Sequence, residues 1–379
     1  MAQQLYEIEE QRKRAFLLCI NDGKKNSPDE SSELRGLADT LDLDVVALET
    51  VRVRERQPKF GMGSGKAEEL AEKAADLKAD CLVLDWDSSP SQQRNWENLT
   101  GIPVLDRQEL IIQIFAARAS TREAELQVQL AELHYRLPRL SHKYIDLSRQ
   151  RGGRYGTKGS GETRLETDRR LIEQRIHKLE KAIDDVAKQR QLQRRQRERQ
   201  GLPICAIVGY TNAGKSSLLN ALTGSAVLAE DKLFATLDAT TRRFEPGISD
   251  NAGSGMPILL IDTVGFIKRI PHSLIKAFRS TLEEAAHAHV LIHVLDASNP
   301  SVESCYRTTV SVLQELGAGE IPVITVLNKT DLLHETAQTE SLRARFPDSL
   351  AISVKTGEGL DTLKHRIAAA FMDENAHLH

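Results

Sequence analysis

The sequence contains little cysteine. Its four cysteines, Cys19, Cys81, Cys205 and Cys305, are widely spaced among 379 residues and form no CxxC pair. This spacing suggests neither a disulfide framework nor a zinc knuckle. We expect all four to be small, buried hydrophobic residues.

Long apolar runs are also missing. The longest, such as Val290 to Leu295 and Ile321 to Leu327, have the length of a strand and fall short of the roughly 20 residues that a membrane span needs. The N-terminal residues MAQQLYEIEEQRKR lack the apolar core of a secretory signal. With 40% hydrophobic and 28% charged residues, the sequence predicts a soluble, cytoplasmic protein of two or three domains, without integral membrane association.

Charge is nearly balanced over the whole chain but not along it. The net charge is −3, from 51 basic and 54 acidic residues. Residues 139–199 contain 18 Lys and Arg against 9 Asp and Glu, a surplus of 9 positive charges that leaves −12 on the remainder. This asymmetry predicts a polyanion-binding arm on an acidic body.

Residues 1–121 predict a small α/β domain with a parallel sheet. Helix-like and strand-like segments alternate in LRGLADTLDLDVVALETVRV, AEELAEKAADLKADCLVLD and GIPVLDRQELIIQIFAARA, which is typical of a parallel sheet. Within this domain Gly61, Gly63, Gly65 and Lys66 precede a helix. We interpret them as a glycine turn at a helix start, with a secondary nucleotide or RNA phosphate contact as the alternative.

Residues 122–200 change to a heptad period, which predicts an antiparallel helical hairpin. Its apolar seams are Leu126, Leu130, Leu133 and Leu137, and Leu165, Ile172, Ile176, Leu179, Ile183 and Val186. Between them, residues 149–164 are rich in basic residues and in glycines that prevent regular structure. We expect a flexible basic loop that binds RNA phosphates, with a merely solvated, disordered loop as the alternative. The predicted RNA contacts are Arg151, Arg154, Lys158 and Arg164.

Residues 201–379 have the pattern of a nucleotide-binding α/β domain. The segment GYTNAGKS matches GxxxxGK[ST], follows the apolar strand 204–208 and opens a helix. Its glycines allow backbone N–H groups to surround phosphates, Lys215 neutralises the β and γ oxygens, and the Ser216 hydroxyl coordinates Mg²⁺. The predicted nucleotide contacts in this P-loop are Gly209, Tyr210, Thr211, Asn212, Ala213, Gly214, Lys215 and Ser216.

Two later motifs define the nucleotide. In DTVG, Asp262 can reach Mg²⁺ through water, and Gly265 can donate its N–H to a γ-phosphate. In NKTD, Asp331 can accept both donors of guanine, a pair that adenine does not present. Asn328 is predicted to tie this loop to the P-loop, and SVK after the next strand adds N–H groups toward guanine O6. The other predicted contacts are Thr263, Val264, Lys329, Thr330, Ser353, Val354 and Lys355.

A GTPase also needs a switch threonine for Mg²⁺, and LFATLDATTRR lies where this switch belongs. Thr236 is the predicted residue, with Thr240 and Thr241 as alternatives. Its neighbours expected at the nucleotide are Phe234, Ala235, Leu237 and Asp238. The predicted catalytic residues are Lys215, Thr236 and Gly265, and the predicted metal ligands are Ser216 and Thr236.

Phe266 follows DTVG at the position where a Ras-like enzyme holds a glutamine that orients the attacking water. Phenylalanine cannot orient water, so we expect slow hydrolysis by the free protein. The missing assistance comes from a partner, from a rearranged switch, or from K⁺ that Asn212 helps to bind near the phosphates.

Several signatures together resemble the HflX family of bacterial-type GTPases, across nearly the whole chain. They are GSGKAEEL, the segment at residues 87–95, ELIIQIFAARASTREAELQVQLAELHYRLPRL, RGGRYGTKGSGETRLE, GYTNAGKSSLLN, LFATLDATTR, DTVGFI and NKTD. The resemblance implies an N-terminal α/β domain with a helical hairpin, followed by a Ras-like GTPase domain. It also implies binding to the large ribosomal subunit and its rRNA, with the hairpin loop inserted toward the peptidyl-transferase centre, and splitting or rescue of stalled or idle ribosomes under stress.

One departure from the family pattern concerns the C-terminus. Only one further helix, TLKHRIAAAFM, follows Lys355, whereas family members often carry another small domain. We expect that domain to be absent, and we expect a monomer that binds no DNA. Two other functions stay open: a ribosome-assembly or RNA-modification factor that uses GTP as a timing switch, and a regulatory adaptor of a protease or membrane partner.

Overall fold

The chain folds into two compact units, formed by residues 1–114 with 138–166 and by residues 115–137 with 167–379. The three-domain division at residues 121 and 200 stays a prediction. The computed structural model describes residues 12–21, 23, 29–140, 160–199, 201–225, 232–235, 237, 239–246, 257–269, 284–333 and 336–376.

The first part of the chain alternates strands and helices. Its strands are β1 (Arg14–Asn21), β2 (Asp44–Arg52), β3 (Cys81–Leu84) and β4 (Val104–Asp106). Its helices are α1 (Asp29–Thr40), α2 (Ser64–Asp76), α3 (Pro90–Thr100) and α4 (Arg107–Arg118). The strands form one sheet in the order β2-β1-β3-β4, and all its pairings are parallel. The predicted parallel sheet is therefore confirmed, although β1, one of its two central strands, and helix α3 were not predicted from the sequence.

The glycine-rich segment before α2 forms a turn and a helix start. Gly61 has a φ of +78°, a conformation that favours glycine. Gly63 is the N-cap residue of α2, and the Lys66 ammonium pairs with Glu69 at 2.6 Å. The glycine turn and the helix start are therefore present, and the alternative of a phosphate contact stays untested.

Buried ion pairs occupy the carboxyl edge of this first sheet. Arg107 is 1% exposed and contacts the carboxylates of Glu33 and Asp85. Burial alone would lower the pKa of Arg107, but the two carboxylates outweigh it and raise the pKa above its ordinary value. The Arg139 guanidinium donates to Asp106, the last residue of β4, at 2.9 Å. The two guanidinium groups and the three carboxylates at this edge are thus paired with one another.

Two long helices follow. α5 spans Arg122–Arg136, a 3₁₀ turn spans Leu137–Arg139, and α6 spans Ser160–Arg199. The Arg190 guanidinium lies 2.6 Å from the Glu123 carboxylate, which brings the end of α6 to the start of α5, as an antiparallel pair requires.

The seam predicted for α6 is its least exposed face, with Ile176 and Leu179 buried. On α5 the seam prediction is wrong: the predicted leucines are half-buried, and the fully buried apolar stripe is the neighbouring one, Ala124, Val128, Ala131 and Tyr135. A stripe built mainly of small side chains can approach its neighbours closely, so it becomes the packed face despite its lower hydrophobicity.

The predicted basic loop ends earlier than expected. Residues 160–164 already belong to α6, so the prediction of irregular structure up to residue 164 is wrong at its end. Gly161 is tolerated in this helix, because a single glycine costs only about 1 kcal/mol. Arg151, Arg154 and Lys158 lie outside the described residues, and the side chain of Arg164 is likewise not described.

The second sheet has six strands. They are β5 (Ile204–Gly209), β6 (Thr240–Phe244), β7 (Ile258–Asp262), β8 (Val290–Asp296), β9 (Val323–Asn328) and β10 (Leu350–Ala351). The helices among them are α7 (Lys215–Thr223), α8 (Val302–Glu315), α9 (Thr336–Arg345) and α10 (Leu360–Ala376). The strand order is β10-β9-β8-β5-β7-β6, and β6 alone runs antiparallel to its neighbour. This is the predicted Ras-like arrangement.

The central strands of this sheet are buried along their length. All six residues of β5 are buried, as expected for a parallel strand covered on both faces. Leu218 of α7 and Ile367 of α10 pack into the same apolar cluster as β5 and β8. This rigid core brings the carboxyl ends of β5, β7, β8 and β9 to one edge, where ligands bind in such sheets. Among the described residues, no helix is both long enough and apolar enough to span a membrane.

Candidate functional site

The P-loop joins the buried strand β5 to helix α7. Gly214 has a φ of +93°, and a Cβ at this position would collide with the side-chain amide of Asn328. Only glycine permits this close approach. The Asn328 amide donates to the carbonyl of Ala213 at 2.9 Å, so the predicted tie between the NKTD loop and the P-loop is present.

Lys215, the first residue of α7, is a buried cation. Its ammonium is enclosed in the P-loop and donates to the carbonyl of Tyr210 at 2.9 Å. Burial lowers the pKa of Lys215 to about 8, and the negative charge of Asp262 opposes this shift only in part. A buried ammonium that is poorly compensated attracts an anion such as a phosphate group.

Ser216 and Asp262 face each other beside Lys215. The Ser216 hydroxyl donates to the Asp262 carboxylate at 2.6 Å, and Asp262 is completely buried at the end of β7. A hydroxyl and a carboxylate are oxygen ligands of the kind that Mg²⁺ takes together with phosphate oxygens and water. The described residues contain no cluster of three or more His, Cys, Asp or Glu that would form a metal site without a bound phosphate.

The DTVG segment is joined to the P-loop by main-chain hydrogen bonds. The Phe266 N–H donates to Gly209 at 3.1 Å, and the Thr211 N–H donates to Phe266 at 2.7 Å. A Cβ on Gly265 would lie 2.8 Å from the Lys215 ammonium and from the Cα of Thr211. Glycine is therefore required at this position, beside the lysine that is predicted to meet the γ-phosphate.

Phe266 itself is 1% exposed. A buried phenyl ring offers no polar atom to an attacking water, so the geometry agrees with the prediction that this residue does not orient water.

The switch segment lies against the P-loop in the described part of the chain. Phe234 has a φ of +55° and packs edge-on against Phe115 of α4, with ring centroids 4.7 Å apart. Thr236 and Asp238 lie outside the described residues, and Thr240 and Thr241 belong to β6. One pocket is lined by Thr211, Asn212, Gly214, Lys215, Ser216, Ser217, Lys232, Phe234, Ala235, Thr263 and Gly265.

The base-recognition residues form a second cluster at the ends of β9 and β10. Asp331 accepts from the Ser353 hydroxyl at 2.6 Å, and the Asn328 side chain accepts from the Val354 N–H at 3.2 Å. The Thr330 hydroxyl donates to the carbonyl of Ile352 at 2.9 Å. These bonds hold the NKTD loop and the SVK segment together before any base is bound.

Most predicted contacts therefore lie in two linked clusters. The P-loop, Thr263 and Gly265 surround the phosphate pocket, Asn328 connects it to the base end, and Lys355 lies exposed at the edge of that end. Their nucleotide contacts stay predictions.

Two neighbours of these clusters were missed by the sequence analysis. Asp296 pairs with Lys329 at 2.7 Å, and Phe115 packs on Phe234. Asp296 could have been found, because it ends the apolar strand VLIHVLD at the ligand-binding edge of the sheet. No sequence signal pointed to Phe115, since its partner is more than a hundred residues away.

Comparisons with known proteins cover nearly all of this chain. Three family models match it: "GTP-binding GTPase N-terminal" over residues 29–116, "GTP-binding GTPase Middle Region" over 118–197 and "50S ribosome-binding GTPase" over 204–329.

Curated relatives carry the description "GTPase HflX". A protein of Akkermansia muciniphila is 46% identical over 338 residues, which cover 86% of this chain and 76% of the relative. A protein of Lacrimispora saccharolytica is 43% identical over 387 residues, which cover 99% of this chain and 87% of the relative. A crystal structure of SsGBP in complex with GDP is similar with a TM-score of 0.53 and 26% identity, over 94% of this chain and 97% of that one.

Proposed function

Because this chain belongs to the HflX family of GTPases, we propose that it binds the large ribosomal subunit in a GTP-dependent manner and splits stalled or idle ribosomes. Hydrolysis of GTP to GDP and phosphate is the activity of such P-loop enzymes and of this chain. The observation that carries the GTP dependence of this proposal is the guanine-type cluster of Asn328, Asp331 and Ser353, which is joined to a phosphate-type pocket through Ala213.

The base end selects guanine. The two carboxylate oxygens of Asp331 accept from the N1–H and the exocyclic amine of the base, while the Ser353 hydroxyl keeps that carboxylate in place. Adenine would leave the carboxylate partly unpaired, at a cost of about 1–3 kcal/mol for each missing bond.

The phosphate end stabilises the charge that develops during hydrolysis. Lys215 leaves the carbonyl of Tyr210 for the β and γ oxygens, and Gly265 donates its N–H to the γ-phosphate. Ser216, Asp262 and the switch threonine Thr236 are the residues that would hold Mg²⁺, Asp262 acting through water. When bound, Mg²⁺ neutralises the phosphate oxygens and so lowers the barrier to transfer.

Hydrolysis needs assistance that Phe266 cannot supply. We propose that K⁺, held near the phosphates with the help of Asn212, provides part of the missing positive charge. Asn212 lines the phosphate pocket, and its φ of +59° is a left-handed conformation that asparagine adopts more readily than most residues. Turnover is expected to be faster in K⁺ than in Na⁺ buffer, and Asn212→Ala is expected to remove the difference. Equal turnover of the unaltered protein in both buffers would refute the K⁺ role.

Binding to the ribosome is assigned to the basic segment. Residues 139–199 carry the surplus of 9 positive charges and lie largely within the match to the GTPase middle region. Phosphate contacts by such a segment make the affinity fall steeply as salt is added. The logarithm of the binding constant falls with the logarithm of the salt concentration, with a slope of about 0.7–0.9 for each phosphate contacted. Cytoplasmic location follows from this proposal.

Sedimentation of purified ribosomes tests both parts of the proposal. With a non-hydrolysable GTP analogue the protein should co-sediment with large subunits and convert whole ribosomes into subunits, and with GDP it should do neither. Co-sedimentation without splitting would favour the assembly or RNA-modification factor instead. No ribosome binding in any nucleotide state would favour the adaptor and overturn the proposal.

Charge reversal locates the RNA contact. Arg151, Arg154 and Lys158 changed together to Glu should weaken ribosome binding by at least about tenfold and flatten its salt dependence. The matched control reverses three exposed arginines of the GTPase surface, Arg307, Arg343 and Arg366. Equal losses in both triple variants would show that only net charge matters and not this loop.

A further inference from the structure

A carboxylate outside the predicted nucleotide motifs holds the lysine of NKTD. Asp296 is the last residue of β8, and its Oδ2 lies 2.7 Å from the Lys329 ammonium. Its Oδ1 accepts from the Ser298 N–H at 2.9 Å and from the Ser298 hydroxyl at 2.6 Å. Because both oxygens are bonded, the carboxylate has a fixed direction.

The main chain strengthens the same connection. The Ala297 N–H donates to the carbonyl of Asn328 at 2.8 Å, so the ends of β8 and β9 are joined directly beside the ion pair. Lys329 has a φ of +65°, a conformation that costs a residue with a Cβ about 1–2 kcal/mol. Such a conformation persists where the surroundings hold it, and it is common at ligand-binding positions.

The pair is shielded from water but still accessible. The side chains of Lys329 and Asp296 are 25% and 20% exposed, so solvent screens the attraction less than on an open surface. Lys329 lies between Asn328, which reaches the P-loop, and Thr330 and Asp331 at the base end. An aliphatic stem fixed here can cover the face of a purine, while Asp331 contacts its edge.

We propose that Asp296 is a positioning residue for guanine recognition: its carboxylate holds the Lys329 ammonium so that the lysine stem covers the face of the base. The inference rests on the proposed guanine site and adds a residue to it. Contact with the face does not depend on the exocyclic groups of the base. Loss of Asp296 should therefore weaken all purine nucleotides that bind here by the same factor.

Binding of GDP, IDP and XDP separates the two roles. Asp296→Ala and Asp296→Asn should weaken all three nucleotides by roughly three- to tenfold, with partial recovery in Asp296→Glu. Asp331→Asn should instead weaken GDP and strengthen XDP, because its amide can donate to the 2-carbonyl of xanthine. The matched control is Asp361→Asn, which breaks the remote exposed pair with Lys364 and should change no affinity.

A double-mutant cycle shows whether Asp296 acts through Lys329. After Lys329→Ala, the further change Asp296→Ala should cost nothing more, because the positioned stem is already gone. Additive losses would overturn the proposal. Unchanged affinities in Asp296→Ala would also overturn the proposal. If Asp331→Asn still switches the preference from GDP to XDP in that case, the guanine site itself remains supported. If Asp331→Asn does not change the base preference, the guanine site itself fails.

The thermal midpoint without nucleotide excludes a merely structural role. Asp296→Asn is expected to change the midpoint of the nucleotide-free protein only slightly, because its amide oxygen can still accept from Ser298 and only the partly exposed pair with Lys329 is lost. A large drop in that midpoint, with affinities per folded molecule unchanged, would make Asp296 a stability residue and contradict the proposal.

Discussion

The two sheets of this chain differ in how the buried charges at the carboxyl ends of their parallel strands are compensated. In the first sheet Arg107 is buried between Glu33 and Asp85, and its pKa is raised. In the second sheet Lys215 is buried with little compensation, and its pKa is lowered to about 8. Charged residues at a strand edge therefore do not by themselves indicate a site. An incompletely compensated buried charge does, because it is stabilised only when a ligand arrives.

The largest expected effect comes from removing the incompletely compensated charge. Lys215→Met should reduce kcat/KM for GTP by about 100- to 1,000-fold, since one donor to the developing charge is lost. The thermal midpoint without nucleotide should stay the same or rise, because a buried cation has been replaced by an apolar side chain of similar volume. A fall of many degrees in that midpoint would show that Lys215 is structural, like Arg107.

Removing the compensated charge should have the opposite consequence. Arg107→Met leaves two carboxylates buried without their partner, which should destabilise the first sheet by about 3–5 kcal/mol. Hydrogen exchange at amides of β3 and β4 measures this loss. GTP turnover of the molecules that remain folded should be close to normal. A loss of turnover while the amides of β3 and β4 stay fully protected from exchange would contradict the structural role of Arg107.

The protonation state of Lys215 can be followed in the unaltered protein through the protons taken up on GTP binding. Its pKa of about 8 in the nucleotide-free protein lies below the ordinary 10.5, so between these values the unfolded chain binds more protons and stability from this group rises with pH. Bound phosphates favour the charged lysine. At about pH 9, GTP binding should take up most of one proton, measured by calorimetry in buffers of different ionisation enthalpy. No such uptake is expected near pH 6.5, where the lysine is already charged.

The smallest effect is expected for an exposed ion pair of the first unit. Lys66→Met breaks the pair with Glu69 on α2 and should change the free energy of unfolding by less than about 1 kcal/mol. It is the control for Arg107→Met in the same denaturation experiments. A loss of unfolding free energy as large as that in Arg107→Met would mean that burial does not determine how much these ion pairs contribute to stability.

Local motifs made the GTPase part of the fold predictable. The P-loop, DTVG and NKTD each combine a strand end with residues whose roles depend on immediate neighbours, so Gly209 to Ser216 and Asn328 to Asp331 lie on the expected strand ends. The Ras-like order follows from strands and helices that alternate along the chain.

The errors arose where distant parts of the chain decide the structure. β1 was missed because a short apolar run such as RAFLLCIN does not reveal its type by periodicity. The buried face of α5 was misjudged because packing favoured Ala124, Val128 and Ala131 over the neighbouring leucines. Asp296 and Phe115 gain their meaning only from Lys329 and Phe234, residues far along the chain.

The antiparallel edge strand β6 offers a place to insert a tag into the enzyme. Because β6 pairs with β7 in antiparallel register, the segment connecting them needs no crossover and can close over a wide range of lengths. Doubling such a connection costs only about 0.6 kcal/mol. A fluorescent or affinity tag placed between Phe244 and Ile258 should therefore leave the parallel core of the sheet unaltered.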